Sequence, residues 1–304
     1  MSKQGTVIQS TGKWYKVSVD GEIIECRLPG KFRLNQEEVT NPIAVGDHVD
    51  VEKQDDHTGS IVKIHERTNY IPRQATHGRR GDQILASNID LAWSVVSVRK
   101  PRFKTGFIDR FLVTCEAYEV PAGILVNKTD LANKTDLKFL EDLEHLYSKL
   151  GYHFLKTSIY DPQSLEQLQE KIHRKISVFI GPSGVGKTSI LNALEPDLKL
   201  STSKISDFSG KGTHTTTFAR LVPIQGDGFI VDTPGIRELG LVDIDPSELS
   251  LYYPEMLEPR KSCKFYDCTH SHEPDCGVVR AFENGEIHPE RYNSYLNILE
   301  SLEQ

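Results

Sequence analysis

Residues 175–194 read KISVFIGPSGVGKTSILNAL, an apolar run that passes through a glycine-rich turn into an amphipathic stretch. The apolar run 176–180 predicts a buried strand, and apolar residues at helical spacing after position 189 predict a helix. The turn between them fits the phosphate-loop pattern G-x-x-x-x-G-K-[ST], in the strand-to-helix context that this pattern requires. The predicted nucleotide-binding residues of the turn are Gly181, Pro182, Ser183, Gly184, Val185, Gly186, Lys187, Thr188 and Ser189.

The chemistry of phosphate binding explains the residues of this turn. Backbone N–H groups and the positive end of the following helix can surround a phosphate. Lys187 can reach the outer phosphates, and the Thr188 hydroxyl can bind Mg²⁺. The glycines are needed because a side chain would occupy the space that the phosphate takes. The expected ligand is a nucleoside triphosphate with Mg²⁺.

The composition is that of a globular protein. Of its 304 residues, 38% are hydrophobic and 26% charged, and about two or three domains are expected at this length. No apolar run approaches the roughly 20 residues of a membrane span, and the N-terminus lacks the apolar core of a signal peptide. We therefore expect a cytoplasmic protein that does not associate with membranes. A net charge of −7 restricts nucleic-acid binding to local basic groups. The candidate groups are Lys31 with Arg33; Arg73, Arg79 and Arg80; and Arg99, Lys100, Arg102 and Lys104.

Four segments are predicted along the chain. Residues 1–72 alternate apolar and polar positions in short stretches separated by turns, which indicates a small β-barrel of the oligonucleotide-binding or the SH3-like type. Residues 73–88 are polar, basic and glycine-containing, as in a linker. Residues 89–243 are expected to form the nucleotide-binding domain and residues 244–304 a C-terminal module. The barrel loop 29–33 contains one aromatic residue and two cations, a combination that can stack on RNA bases and neutralise phosphates. The alternative is a surface turn whose aromatic side chain packs on the barrel.

From residue 89 onward the periodicity changes to alternating strands and helices. Strands are predicted at 89–98, 122–126, 153–156 and 176–180, with helices between them. This alternation implies a mostly parallel sheet covered by helices on both faces. Ligands of such sheets bind at the C-terminal ends of the strands.

The second of these strands ends in an N-K-x-D element, Asn127-Lys128-Thr129-Asp130. The Asp130 carboxylate only accepts hydrogen bonds and can take two from guanine N1–H and the 2-amino group, whereas adenine offers no such pair of donors. Sites of this kind can discriminate by about 10⁴ to 10⁵. The stem of Lys128 can cover the base, and Asn127 can hold the neighbouring loops. All four residues are predicted to bind a guanine nucleotide.

Further elements extend the predicted nucleotide site. Thr157-Ser158 lies where guanine-nucleotide-binding proteins usually carry a serine-alanine pair that contacts the base, although Ile159 departs from that alanine. The polar stretch 200–221 suits a segment that orders when a hydroxyl binds Mg²⁺ beside the γ-phosphate, and the strand at 228–231 ends in a D-x-x-G element. The residues assigned from these two segments are Thr215 or Thr216 as Mg²⁺ ligand, Asp232 holding Mg²⁺ through water, and Gly235 bonding the γ-phosphate through its N–H.

The order of these elements is unusual, because the N-K-x-D element precedes the phosphate loop. A circularly permuted chain can still build the same sheet, since the termini of compact domains often lie close together. A β-barrel, a permuted GTPase and a Cys/His cluster in this order resemble the RsgA (YjeQ) family, bacterial GTPases that act in late maturation of the small ribosomal subunit. The resemblance covers essentially the whole chain and rests on NKTD at 127–130, GPSGVGKTS at 181–189, HTTT at 214–217 and DTPG at 232–235.

The resemblance implies an α/β fold in which a circularly permuted P-loop GTPase domain lies between an N-terminal oligonucleotide-binding β-barrel and a C-terminal zinc-binding helical module. The small ribosomal subunit and its rRNA are the implied partners, with other assembly factors as further candidates, and we expect a monomer. GTP hydrolysis would be stimulated by the subunit and would drive factor release. The alternative is a GTP-gated rRNA-binding checkpoint in which hydrolysis only resets binding, and a variant that binds but cannot hydrolyse GTP separates the two. NKTD disfavours an ATP-driven enzyme.

The C-terminal cluster Cys263-x₄-Cys268-x-His270-x₅-Cys276 supplies three thiolates and an imidazole. These are the ligands of a closed tetrahedral zinc site. Disulfide bonds between these cysteines are the alternative. They are disfavoured because the cytosol, where we expect the protein to act, keeps thiols reduced. His272 competes for the fourth position, and the family pattern favours His270. With four protein ligands no coordination position is open for catalysis, so the ion should hold together a loop-rich module.

The residue that follows the D-x-x-G element bears on the rate of hydrolysis. Many GTPases place there a glutamine that orients the attacking water, whereas this chain has Ile236. Intrinsic hydrolysis should therefore be slow. His214 is the candidate for positioning the water once the ribosomal subunit orders the segment, and a solvent-facing histidine is the alternative. The predicted catalytic residues are His214, Lys187, Thr215 and Thr216.

Overall fold

The computed structural model describes most of the chain, and the statements below concern this part only. The described residues are 2–11, 14–29, 42–55, 57–73, 83–196, 219–232 and 244–303. Among them, no helix combines the length and the apolar character needed to cross a membrane.

Five strands at the N-terminus close into a barrel. They are β1 (Lys3–Ser10), β2 (Tyr15–Val19), β3 (Glu22–Arg27), β4 (His48–Lys53) and β5 (Thr58–Ile64). Their order is β1-β2-β3-β5-β4, and β4 pairs again with β1 to close the barrel. The β3–β5 pair is parallel and the others are antiparallel. This connectivity is that of the oligonucleotide-binding fold rather than the SH3-like barrel.

A short hairpin follows the barrel. Strand β6 (Tyr70–Arg73) pairs in antiparallel fashion with β7 (Gln83–Ser87). Part of the range predicted to be a linker is therefore a strand. The end of β7 is held to the barrel, because the Ser87 hydroxyl donates to buried Asp47 Oδ1 over 2.5 Å and Asn88 Nδ2 donates to the Gly46 carbonyl over 2.9 Å. The domain boundaries themselves stay predictions.

The central sheet contains six strands: β8 (Leu91–Ser97), β9 (Ala122–Asn127), β10 (His153–Lys156), β11 (Ile176–Ile180), β12 (Arg220–Ile224) and β13 (Gly228–Asp232). Their order is β10-β9-β8-β11-β13-β12, and β12 is antiparallel to β13 whereas the other pairs are parallel. Strand β12 also pairs with β1 of the barrel at Arg220 and Gln9, so one continuous sheet joins the two units.

Helices cover both faces of the central sheet, as the alternation of the sequence predicted. They are α1 (Thr105–Ala117), α2 (Lys134–Lys149), α3 (Pro162–Ile172) and α4 (Lys187–Leu194). Apolar side chains of α1 and α2 belong to the core on one face, and those of α3 and α4 belong to the core on the other. A short 3-10 helix, Thr129–Leu131, follows β9.

The C-terminal module is built from helices and contains no strand among its described residues. Three 3-10 helices, Pro246–Tyr252, Pro254–Met256 and Pro259–Ser262, precede α5 (Gly277–Glu283) and α6 (Pro289–Glu303). Its core also contains Val113 of α1, so the module packs on the central domain. At this junction the buried Arg291 of α6 pairs with Asp109 of α1 over 2.6 Å.

Candidate nucleotide site and metal centre

Parallel strands bring the predicted nucleotide-binding elements to one edge of the sheet. Strands β8, β9, β10, β11 and β13 all run in the same direction, so their C-terminal ends meet at this edge. The N-K-x-D element follows β9 and the phosphate loop follows β11. The permuted order of the sequence therefore does not separate these elements in space.

The glycines of the phosphate loop occupy positions that other residues could not take. A Cβ atom at Gly181 would lie 2.0 Å from the Val95 carbonyl oxygen. Gly186 has a φ of +98°, and its Cβ would lie 2.3 Å from Asn127 Nδ2. Both positions need glycine, because one is closed by backbone and the other combines a left-handed conformation with a clash.

The side chain of Lys187 lies across the phosphate loop. Lys187 Nζ donates to the carbonyl oxygens of Gly181 and Pro182 over 2.5 and 3.0 Å. Thr188, the predicted Mg²⁺ ligand, is 8% exposed at the start of α4. Both side chains thus lie within the loop that would hold the phosphates.

The N-K-x-D element is bonded directly to the phosphate loop. Asn127 is 2% exposed, and its Nδ2 donates to the Val185 carbonyl over 2.8 Å. Lys128 has a left-handed φ of 60°, and its Nζ donates to the Gly184 carbonyl over 2.6 Å. Burial lowers the pKa of Lys128. These bonds join the predicted base site to the predicted phosphate site.

The carboxylate of Asp130 is exposed and oriented by a neighbouring loop. The Ser158 hydroxyl donates to Asp130 Oδ1 over 2.6 Å. Thr129 Oγ1 donates to the Thr157 carbonyl over 3.0 Å. The Thr157-Ser158 segment therefore supports the N-K-x-D element, a role that the sequence analysis did not assign to it.

The loop after β8 also takes part in the site, although its sequence shows only a group of cations. Lys128 Nζ donates to the Lys100 carbonyl over 2.5 Å. Pro101 Cδ lies 3.7 Å from the position that a Cβ of Gly184 would take. No motif identifies this contact, because it is made by a backbone carbonyl.

Several residues of the predicted sites lie outside the described residues, namely His214, Thr215, Thr216, Gly235, Lys31, Arg33 and Ile236. Asp232 ends β13 at the same edge of the sheet as the phosphate loop. The roles assigned to these residues stay predictions.

The predicted metal ligands converge in the C-terminal module. One ligand atom from each of Cys263, Cys268, His270 and Cys276 lies within 4.8 Å of the others. The Sγ atoms of Cys263 and Cys276 are 3.8 Å apart, and His270 Nδ1 lies 3.5 and 3.4 Å from them. Ordinary tetrahedral zinc bonds place two sulfurs about 3.8 Å apart and a sulfur and a nitrogen about 3.6 Å apart. The separations among Cys263, Cys276 and His270 therefore fit three ligands of one tetrahedral ion, and Cys268 lies near enough to be the fourth.

The surroundings of the cluster fix its ligands. The Gly277 N–H donates to Cys263 Sγ over 3.3 Å, and the Val279 N–H donates to Cys276 Sγ over 3.4 Å. Tyr292 OH donates to the His270 carbonyl over 2.8 Å. His272, the competing candidate, is exposed and does not belong to the four-residue group.

Comparisons with known proteins agree with this arrangement. Residues 64–242 match the family described as RsgA GTPase, and residues 4–61 match the RsgA N-terminal domain. The chain is 46% identical over 304 residues to the small ribosomal subunit biogenesis GTPase RsgA of Flavobacterium johnsoniae, covering 99% of this chain and 94% of that protein. The protein of the same name from Bacteroides fragilis is 42% identical over 302 residues, covering 99% of this chain and 97% of its own.

Two solved structures have the same overall fold. The crystal structure of YjeQ from Thermotoga maritima matches with a TM-score of 0.81 at 36% identity, covering 99% of each chain. YloQ, described as a circularly permuted GTPase, matches with a TM-score of 0.78 at 31% identity, covering 100% of this chain and 96% of that one.

Proposed function

This chain belongs to the RsgA family of GTPases, and we propose that it hydrolyses GTP during late maturation of the small ribosomal subunit. In this proposal the subunit stimulates hydrolysis, and hydrolysis drives release of the protein or of another assembly factor. The site of action is the cytoplasm, where the subunit matures, and the protein acts as a monomer.

The observation that carries the proposal is the bond between Asn127 Nδ2 and the Val185 carbonyl, 2.8 Å long. It joins the element that would read the base to the loop that would hold the phosphates. Asp130 stands beside this junction with its carboxylate exposed and oriented by Ser158. A carboxylate in this place accepts from the N1–H and the 2-amino group of guanine, which supports GTP as the nucleotide.

Phosphate and magnesium binding is assigned to residues that already lie together. Lys187 would exchange the carbonyls of Gly181 and Pro182 for oxygens of the outer phosphates. Thr188 would bind the Mg²⁺ that accompanies the nucleotide, with Thr215 or Thr216 as a further ligand. The bound ion would neutralise the charge that develops on the phosphates during hydrolysis.

The hydrolytic step is assigned to residues of the switch segments. Asp232 would hold Mg²⁺ through water, and the Gly235 N–H would bind the γ-phosphate. Ile236 has no group that could orient the attacking water, so His214 is proposed to do so. If His214 takes up this position only when the protein is bound to the small subunit, GTP turnover should be slow without the subunit and strongly stimulated by it.

The C-terminal cluster is proposed to bind one structural zinc ion. Its three thiolates and one imidazole fit the ion in number and type, and the separations among Cys263, Cys276 and His270 fit it as well. Zinc would hold together the stretch between the last 3-10 helix and α5. The module in turn packs on α1, which begins at the nucleotide edge of the sheet.

The proposal is tested by GTP turnover with and without purified small ribosomal subunits. Large subunits, and ATP in place of GTP, serve as controls. We expect small subunits, and not large ones, to stimulate turnover, and we expect GTP, and not ATP, to be hydrolysed. Such stimulation requires the nucleotide site, the RNA-binding units and the coupling between them. Equal turnover with and without small subunits would refute the proposed partner. Equal hydrolysis of ATP would refute the role of Asp130.

A further inference from the structure

A basic loop connects β8 to α1 at the nucleotide edge of the sheet. Residues 98–104 read VRKPRFK and contain four cations. Arg99 is half-buried, whereas Lys100, Arg102 and Lys104 are exposed. In a chain with a net charge of −7, three exposed cations in so short a loop form a local positive surface.

The loop is held by one hydrogen bond at its base and by two contacts with α2. The Ser97 hydroxyl donates to the Pro101 carbonyl over 2.7 Å. Arg99 forms two bonds to Asp136 of α2, over 2.9 Å from Nε and 2.7 Å from Nη2. Phe103 packs on Phe139 of α2 with ring centroids 6.2 Å apart. A partner that binds this loop therefore pays little conformational entropy for ordering it.

One of the four cations of the loop, Arg99, is held in an ion pair, and among the described residues the other three are not. Arg99 is neutralised by Asp136, whose pKa is lowered by the backbone N–H of Asn133 and by the charges of Arg99 and Arg102. Within the described part of the chain, no carboxylate forms an ion pair with Lys100, Arg102 or Lys104. These three cations are available to an anionic partner.

The loop is also bonded to the phosphate loop through a single side chain. Lys128 Nζ donates both to the Lys100 carbonyl and to the Gly184 carbonyl, over 2.5 and 2.6 Å. A displacement of the basic loop is therefore transmitted to the backbone that would surround the phosphates of GTP. Coupling of this kind is reciprocal for the two ligands.

We propose that Lys100, Arg102 and Lys104 bind phosphates of the small-subunit rRNA and that this contact is coupled to the nucleotide site through Lys128. The inference rests on the proposed function, because it takes the small ribosomal subunit as the partner. It adds the surface of the GTPase domain that touches the RNA. Phosphates are the fitting groups, since exposed ammonium and guanidinium groups on a rigid loop bind the backbone without reading sequence.

The test compares two double variants that change the net charge equally. Arg102→Gln with Lys104→Gln removes two cations of the loop. Lys149→Gln with Lys171→Gln removes two exposed cations from the ends of α2 and α3, which lie at the opposite edge of the sheet. Binding to purified small ribosomal subunits is measured at several KCl concentrations between about 50 and 200 mM.

We expect the loop variant to bind about tenfold more weakly than the protein without substitutions, with a salt dependence that is shallower by about 1.4 to 1.8 in log K against log[salt]. The control variant should keep both values. The loop variant should also lose stimulation of GTP turnover by the subunit while its turnover without subunits is unchanged. Equal affinity and equal salt dependence of the two variants would overturn the inference. If the protein without substitutions neither binds nor responds to subunits, the proposed function itself fails.

Two additions keep the result decisive. Protein-free small-subunit rRNA, transcribed in vitro, replaces the subunit as probe, and a defect seen with subunits but absent with this RNA would refute RNA as the partner. Lys100→Gln is tested separately because the Lys100 carbonyl, which the substitution retains, receives the Lys128 bond. This single variant should weaken RNA binding less than the double variant does, and unchanged binding would remove Lys100 from the surface.

Discussion

Replacing Arg291 by methionine should destabilise the junction between the central domain and the C-terminal module. Arg291 is 1% exposed, and its guanidinium lies 2.6 Å from Asp109 Oδ1 and 2.6 Å from Glu255 Oε1. It also lies 4.4 Å from the centre of the Tyr253 ring. Methionine fills a similar space but leaves two buried carboxylates without their cation.

The cost follows from this arrangement. Removing one partner of a buried ion pair costs about 3 to 5 kcal/mol, because the remaining charge is buried without compensation. At about 1.4 kcal/mol per factor of ten, hydrogen-exchange protection of α6 should fall by about 10² to 10⁴. The assay is native-state hydrogen exchange of backbone amides in α6 and α1, because unfolding of a chain with several domains is not a single transition.

Two control variants test the physical reason. Lys261→Met breaks an exposed pair with Glu258 in the same module and should change stability by less than about 1 kcal/mol. Adding Asp109→Asn and Glu255→Gln to Arg291→Met removes the unpaired charges, and the amide of residue 109 can still accept from Tyr147 OH. This triple variant should regain part of the lost protection. The reasoning would be refuted if the single variant lost less than about tenfold of its hydrogen-exchange protection. It would also be refuted if the triple variant were no better protected than the single variant.

Three further predictions concern the two sites. Asp130→Asn should shift nucleotide preference from guanine toward xanthine, whose 2-oxo group suits an amide donor, and unchanged guanine preference in competition binding would contradict the role of Asp130. Gly186→Ala should weaken GTP binding by at least about tenfold, whereas Gly151→Ala, at a similar φ of +94° with no atom within 4 Å of its Cβ, should leave titrated GTP affinity unchanged. Removal of metal by a chelator should unfold the C-terminal module, since binding of a structural zinc ion is worth about 10 to 16 kcal/mol. Loss of the near-ultraviolet circular dichroism of the packed pair Tyr253 and Tyr295 would report this, and an unchanged spectrum after complete metal removal would exclude a structural ion.

Much of the fold could be predicted because it is encoded in short-range patterns. Strands β10 and β11 begin and end at the predicted residues, and helices lie between the strands as the alternation predicted. The phosphate loop and the N-K-x-D element are equally local, since each is a run of adjacent residues with a fixed chemistry. Strand β7 lies in the range predicted as a linker, and its end is bonded to Asp47 and Gly46 of the barrel, contacts that no local pattern indicates.

The sequence by itself determined the elements, their permuted order and the chemical groups of both sites, because periodicity and motif spacing are properties of neighbouring residues. Only the tertiary structure decided which of these groups meet. It brought Ser158 to Asp130 and the Lys100 carbonyl to Lys128, and it placed His270, which the family pattern favours, among the three cysteines of the metal cluster. Such contacts join residues far apart in the chain, and no local periodicity records them. They depend on how parallel strands align their ends and on how helices pack across the sheet.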